Sequence, residues 1–207
     1  MLNAIRQAKA DQPILLTRGD AVIGSLTPML PTERNAQLAA RWRNENREAY
    51  SSWVTATPES ALAWLRGFHE REDRILFLVQ DEYANPVGHF GAVILDADEG
   101  LAEIVSAVRG SPDAPPGFFY VVYHTVTQWL FRHAGARTVV ACALDSNPKP
   151  TRVMARCGYR VVGADHVRLV QSGDTATWTK ISNGRLDHKD RLMIQLECTQ
   201  LLPRNDE

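Results

Sequence analysis

Two residues in the middle of the chain have the chemistry to move a proton: Glu103, in the run LAEIVSAVR, and His89, in PVGHFGAVILD. A carboxylate followed by Ile104 and Val105 on a strand is partly desolvated, which raises its pKa toward the range where it accepts a proton from an ammonium group. A glutamate near the start of a strand is also often solvated or paired with an arginine, and both roles stay open. His89 is the reserve: it can deprotonate an amine or hydrogen-bond a ligand, or sit as a satisfied structural histidine. The work these groups suit is general acid–base catalysis.

A second chemistry is anion binding, in VRGSPDAPPGFFYVVYHTV. A strand ends at Val108-Arg109-Gly110, a proline-rich loop follows, and a helix opens at Pro116-Gly117 with Phe118 and Phe119 behind it. A helix start leaves unpaired N–H donors and a partial positive charge, and small residues there admit a phosphate to the backbone. Proline and glycine also start helices with no ligand in view. Further on, Asn147 stands where a strand meets a helix in DSNPKPTRVMARCGYR, placed to cap that helix or to bond a ligand amide. Trp42, Arg43 and Asn44 offer aromatic and polar contacts in a preceding helix. Arg43 suits a phosphate, though exposed arginines are usually just solvated, and a tryptophan at the Trp42 position is more often a core anchor.

The elements that must carry these groups follow from periodicity and punctuation. After a polar opening, AVIGSLTPML reads as a strand. Pro31-Thr32 then begins a helix in which Leu38 and Trp42 share a face, and Thr57-Pro58 begins a second one. RILFLVQD, PVGHFGAVILD and LAEIVSAVR read as an antiparallel meander joined by turns. FFYVVYHTVTQWLFRHAG is a buried helix ended by Gly135, RTVVACAL a strand, NPKPTRVMARC a short helix, and GYRVVGADHVRLV a strand pair or one bent strand. TATWTKIS and RLMIQLEC, with polar residues between them, read as an added hairpin. The order predicts an α/β fold with a mixed, mostly antiparallel central sheet flanked by helices and a C-terminal hairpin extension. It forms one domain over residues 1–207, with a core of 21–170 and an extension of 171–207.

In this order, the VRG strand end, the Gly117 helix start and the Asn147…Gly158-Tyr159 segment resemble the GNAT superfamily of N-acetyltransferases, over roughly residues 21–170. The resemblance implies the GNAT fold, acetyl-CoA as cosubstrate, and a primary amine as acceptor. It also implies that Val108, Arg109, Gly110, Gly117, Phe118, Phe119 and Asn147 line the coenzyme, and that Glu103 or His89 is the base. The loop departs from the family's R-x-x-G-x-G/A pattern in being longer and rich in proline. Met154 stands where the family often has a tyrosine that protonates the leaving thiolate, so that proton comes from Tyr123, Tyr159 or Cys157, or the thiolate leaves unassisted. WRNENR, with Arg43 and Asn44 toward the substrate, resembles the branch that acetylates nucleotide-linked amino sugars. The same short elements are shared with acetyltransferases of ribosomal-protein N-termini, and a non-catalytic acyl-CoA-binding module is a third reading.

Composition sets the outer limits. At 207 residues, 44% hydrophobic and 23% charged, the chain has the balance of a folded globular domain. A net charge of -1 without blocks of like charge gives no reason to expect a nucleic-acid or membrane partner, and favours a small molecule. With no long apolar run, and with Cys142, Cys157 and Cys198 far apart, the expectation is a reduced, cytoplasmic protein without a metal site. Two roles are open to the tail: covering the acceptor site, or pairing with a second copy in a homodimer.

Overall fold

The computed structural model describes residues 1–10, 13–182, 186–201 and 204. Helix α1 (Leu2–Ala10) and strand β1 (Ile14–Arg18) occupy the opening, which carries little sequence signal: Ile5 is the only buried residue of α1. What docks α1 is Lys9, whose ammonium donates to the carbonyls of His69 and Arg71 at 2.5 and 2.6 Å. The chain continues through β2 (Ala21–Pro28), α2 (Glu33–Glu45), a 3₁₀ turn at Arg47–Ala49, β3 (Ser52–Trp53) and α3 (Pro58–Glu70). Then come β4 (Arg74–Asp81), β5 (Pro86–Asp96), β6 (Leu101–Arg109), α4 (Phe118–Arg132), β7 (Thr138–Leu144) and α5 (Pro148–Arg156), followed by β8 (Arg160–Ser172), β9 (Thr175–Lys180) and β10 (Arg191–Cys198).

Local chemistry fixes the helix starts. The Thr32 hydroxyl accepts from the Asn35 N–H, while Thr57 and Ser60 cap each other reciprocally with Pro58 in the first turn of α3. Among the described residues, ten strands form one sheet in the order β1-β2-β4-β5-β6-β7-β10-β8-β9-β3. Each neighbouring pair is antiparallel except β6 and β7. The mixed, mostly antiparallel sheet flanked by helices is the expected fold.

The alternation of side chains along the strands divides the core between the two faces of the sheet. Phe77, Phe90, Ile104 and Val139 pack with Ile5, Phe118, Val126 and Met154, so α1, α4 and α5 cover that face. Leu76, Val93 and Val108 pack on the other with Ala36, Trp42, Leu65 and Phe68 of α2 and α3.

The tail differs from the expected hairpin in its pairing. The hairpin is β8–β9, closed at Gly173 (φ 57°), while β10 runs between β7 and β8 and is antiparallel to both. Ten residues separate β9 from β10, too many for the tight turn of a hairpin. The run after Tyr159 is a single long strand, β8.

Candidate active site

Parallel pairing of β6 with β7 covers only Leu101–Ile104 against Thr138–Ala141. Beyond it the two strands diverge: β6 continues to Arg109 against β5 alone, and β7 continues to Leu144 against β10. The backbone groups of β6 on its β7 side therefore face a V-shaped gap without a strand partner. An extended ligand with amide groups can complete such an edge as a further strand would.

Inside the gap β6 carries a bulge. Val105 pairs with Gly91 and Val108 with His89, so Ser106 and Ala107 face the single residue Phe90, and Ser106 takes φ 50°. His89 Nδ1 lies 2.7 Å from the Ser106 carbonyl oxygen, which can only accept, so Nδ1 carries the proton. The ring is 2% exposed, with the rings of Trp42 and Trp64 each 5.9 Å from it. Burial pulls its pKa down to about 4, against the bond to Ser106, so the imidazole is neutral at physiological pH. Glu103 lies where β6 still pairs with both neighbours, opposite Val93 and Val140. It is half-buried, and desolvation raises its carboxyl pKa.

Past the end of β6, the loop of residues 110–117 leads to the start of α4. Gly117 is its N-cap at φ 75°, a left-handed conformation that disfavours a side chain, and no side chain caps the helix. Arg18, which the sequence reading passed over, donates to the Pro116 carbonyl at 3.1 Å, and its guanidinium would lie 3.4 Å from a Cβ at Gly117. The helix start and a cation thus converge. Arg109, although exposed, braces its own loop, donating to the carbonyls of Ser111, Pro112 and Ala114. Gly110 is needed for close approach, since a Cβ there would lie 2.2–2.4 Å from the Trp42 indole. Phe118 is fully buried in the core and Phe119 packs beside Gly88, so the two rings anchor the helix start. Val108 is buried against α2 and α3. Asn147 is the N-cap residue of α5 and makes no side-chain cap to it.

A chamber of about 540 Å³ lies among β3, β8, β9 and the start of β10; Ser146, just past the end of β7, lines it together with Glu48, Trp53, Arg168, Trp178, Lys189 and Asp190 among others. Its roof is the pairing of β3 with β9, Ser52 opposite Thr177 and Trp53 opposite Ala176. Trp53 and Trp178 meet edge to face at 6.1 Å. Arg43 and Asn44 hold this roof from α2. Arg43 donates to the Ser52 carbonyl and hydroxyl at 2.9 and 2.7 Å and lies 4.0 Å over the Tyr50 ring. The Asn44 amide bonds both the N–H and the carbonyl of Ala56 at 2.9 Å. The chamber and its aromatic walls were not legible beforehand, because β3 and β9 lie more than 120 residues apart.

Residues 25–160, more than half of the chain, match the family model of the acetyltransferase (GNAT) domain. The chain belongs to the GNAT family. It is an acetyl-CoA-dependent N-acetyltransferase. Solved GNAT-type structures share its fold at low identity. A ribosomal L7/L12 α-N-protein acetyltransferase superposes with a TM-score of 0.66 at 12% identity, covering 92% of this chain and 97% of the other. The spermidine N-acetyltransferase from Vibrio cholerae in complex with CoA and spermine gives 0.61 at 15%, covering 92% and 94%. A GCN5-related N-acetyltransferase from Brucella melitensis gives 0.63 at 17%, covering 90% and 81%. No curated protein sequence matches the chain.

The features at the gap fit the coenzyme. The unpartnered edge of β6 suits its amide-bearing arm, and the uncapped start of α4 with Arg18 suits its diphosphate. Met154, at the position of the family's tyrosine, is 2% exposed within the core. The Tyr159 hydroxyl bonds Thr127 at 2.8 Å, and burial pushes the Cys157 thiol up to about 12. Tyr123 is 6% exposed and packs edge to face on Phe90, its pKa raised by burial. Among the described residues no cluster of metal-ligating side chains occurs and no helix is long and apolar enough to cross a membrane.

Proposed function

We propose that this GNAT enzyme acetylates the primary amine of a nucleotide-linked amino sugar, with Glu103 as the base and the tryptophan-walled chamber holding the rest of the acceptor. The coenzyme supplies the acetyl thioester; what the chain supplies is alignment and proton removal. A half-buried carboxylate with a raised pKa is a better base for an ammonium group than a solvated one.

The observation that carries the acceptor class is the chamber's make-up. Glu48, Asp187 and Asp190 are matched by Arg168, Lys189 and Arg191, and Asp190 is already held by the Arg168 guanidinium at 2.7 Å. A polycation needs an excess of carboxylates, which this lining lacks. Aromatic walls suit a sugar or base, and Lys189, with no ion pair among the described residues, suits a phosphate. Among the described residues the indole N–H groups of Trp53 and Trp178 are buried without hydrogen-bond partners, donors that a turn of either ring would offer to a hydroxyl or carbonyl oxygen.

The test is release of free thiol from acetyl-CoA with three amines offered in parallel: a nucleotide-linked amino sugar, spermidine, and a peptide with a free N-terminus. The proposal expects kcat/KM for the sugar at least tenfold above the other two. A peptide preferred to the sugar would replace it with N-terminal protein acetylation, and a spermidine preference would contradict the charge argument.

A further inference from the structure

We propose that Gln195 is a specificity-determining residue: its side-chain amide, held by Asp165, hydrogen-bonds a ring hydroxyl of the acceptor on the open sheet face between Glu103 and the tryptophan-walled chamber. This contact rests on the amino-sugar acceptor proposed above and adds the group that reads the sugar ring.

Side chains alternate along a strand, and residues paired across neighbouring strands share a face. Glu103 pairs on one side with Val93, which packs under α2 and α3, and on the other with Val140. Cys142, two residues along β7, shares that face, while Val139, Ala141 and Ala143 turn to the core on the other. Gln195 of β10 is the partner of Cys142, and Gly163 of β8 is the next in the row. Gln195 therefore lies two strands from Glu103, about 10 Å across the sheet. Cys142 is exposed, so no helix covers the face there. Its thiol pKa is raised by desolvation and then by the charges of Glu103 and Asp165, so both carboxylates stand near it. From this row the same face runs on to the chamber, along β10 through Met193 to Arg191 and along β8 from Asp165 through Val167 to Leu169.

The amide of Gln195 is oriented in advance. Its Nε2 donates to Asp165 Oδ2 at 2.7 Å, and Asp165 Oδ1 takes the Lys180 ammonium at 2.6 Å. A carboxylate only accepts, so the nitrogen of Gln195 faces Asp165 and its Oε1 faces away. Among the described residues Oε1 and the second N–H of Nε2 have no partner. One acceptor and one donor left unspent on the same amide match a hydroxyl, which is both at once. Gly163 keeps the room for it: a Cβ there would lie 2.9 Å from Oε1, and the backbone of Gly163, without a positive φ, does not otherwise call for glycine. A group pinned by a neighbouring carboxylate loses little freedom when it binds, which is what a discriminating contact needs.

The experiment compares the wild type with Gln195→Met in the full chain, using a nucleotide-linked amino sugar and analogues of it that each lack one ring hydroxyl. Thermal midpoint, acetyl-CoA affinity by calorimetry, and kcat and KM for the amine are measured. The expected result in Gln195→Met is an amine KM raised about tenfold, with kcat and acetyl-CoA affinity within threefold of wild type, as for loss of a contact made equally in the ground and transition states. One deoxy analogue should show the same rise with the wild type and no further rise with Gln195→Met. Gly163→Ala should raise KM in the same direction and by less, since the end of the glutamine can shift. Where Gln195→Met does not fold, Gln195→Asn, one methylene shorter, takes its place with the same expectations. An amine KM within twofold of wild type overturns the proposal. So does a variant that still loses as much as the wild type for every missing hydroxyl, which would mean that the side chain acts only through the fold. A wild type that acetylates spermidine or a peptide but none of the sugars overturns the acceptor class and this contact with it, whereas a sugar acetylated equally well by both chains overturns the contact alone.

Discussion

Glu103 has one cause acting on its carboxyl pKa, desolvation, and that cause raises it. A base works when deprotonated, so activity should fall as pH drops through the raised pKa, and the acid limb of kcat should lie above the ordinary carboxylate range. Replacing Glu103 with glutamine should lower kcat by about 10²–10³-fold near neutrality and remove that limb from the kcat–pH profile. A glutamine variant whose profile keeps the limb would assign the proton to another group. The candidacy of Glu103 was readable in the sequence because its apolar neighbours announce partial burial. The partner of His89 was not, because nothing in LAEIVSAVR marks Ser106 for a left-handed backbone: glycine would have signalled it and serine does not. The hydrogen bonds of Arg43 and Asn44 were equally silent, since their partners at Ser52 and Ala56 lie in a segment without periodicity.

The element that walls one side of the chamber is the loop of residues 46–57. It is held at one end by Asn44 and Arg43 and across its middle by pairing with β9, where the Trp178 N–H also donates to the Ser51 carbonyl at 2.9 Å. Arg43 is partly desolvated, which lowers its pKa, but a guanidinium stays charged, and its two bonds to Ser52 are charge-assisted. Changing Arg43 to methionine keeps much of the packing and removes both bonds, a loss of about 1.5–3 kcal/mol of loop positioning. The expected outcome is a rise of about tenfold or more in the KM for the amine, with acetyl-CoA affinity unchanged by calorimetry. An unchanged amine KM would separate this loop from the acceptor. Helices with capping chemistry, such as the one opened by Thr57-Pro58, were legible because the signal is local. The two-residue β3 and the place of β10 in the sheet were not, because strand-forming residues declare a strand without declaring its neighbour.

Across the whole molecule, one sheet runs from β1 through β10 to β3, and it opens at a single parallel junction. The order of elements from β2 to β8 was enough to expect this fold, since a meander, a buried helix and a returning strand leave few ways to pair. The tail completes the sheet: β10 covers the edge of β7 that faces away from the gap, so the strand defining one wall is held from behind. The charges of the site are local as well, with Arg18 brought from the first strand to the start of α4 across 98 residues of sequence. Binding of the coenzyme at that junction is the central claim, and calorimetric titration of the folded full-length chain with CoA tests it most directly. The account predicts a saturable heat at one coenzyme per chain, weakened about tenfold in Arg18→Gln through loss of a charge-assisted contact. No heat of binding in the wild type would contradict it.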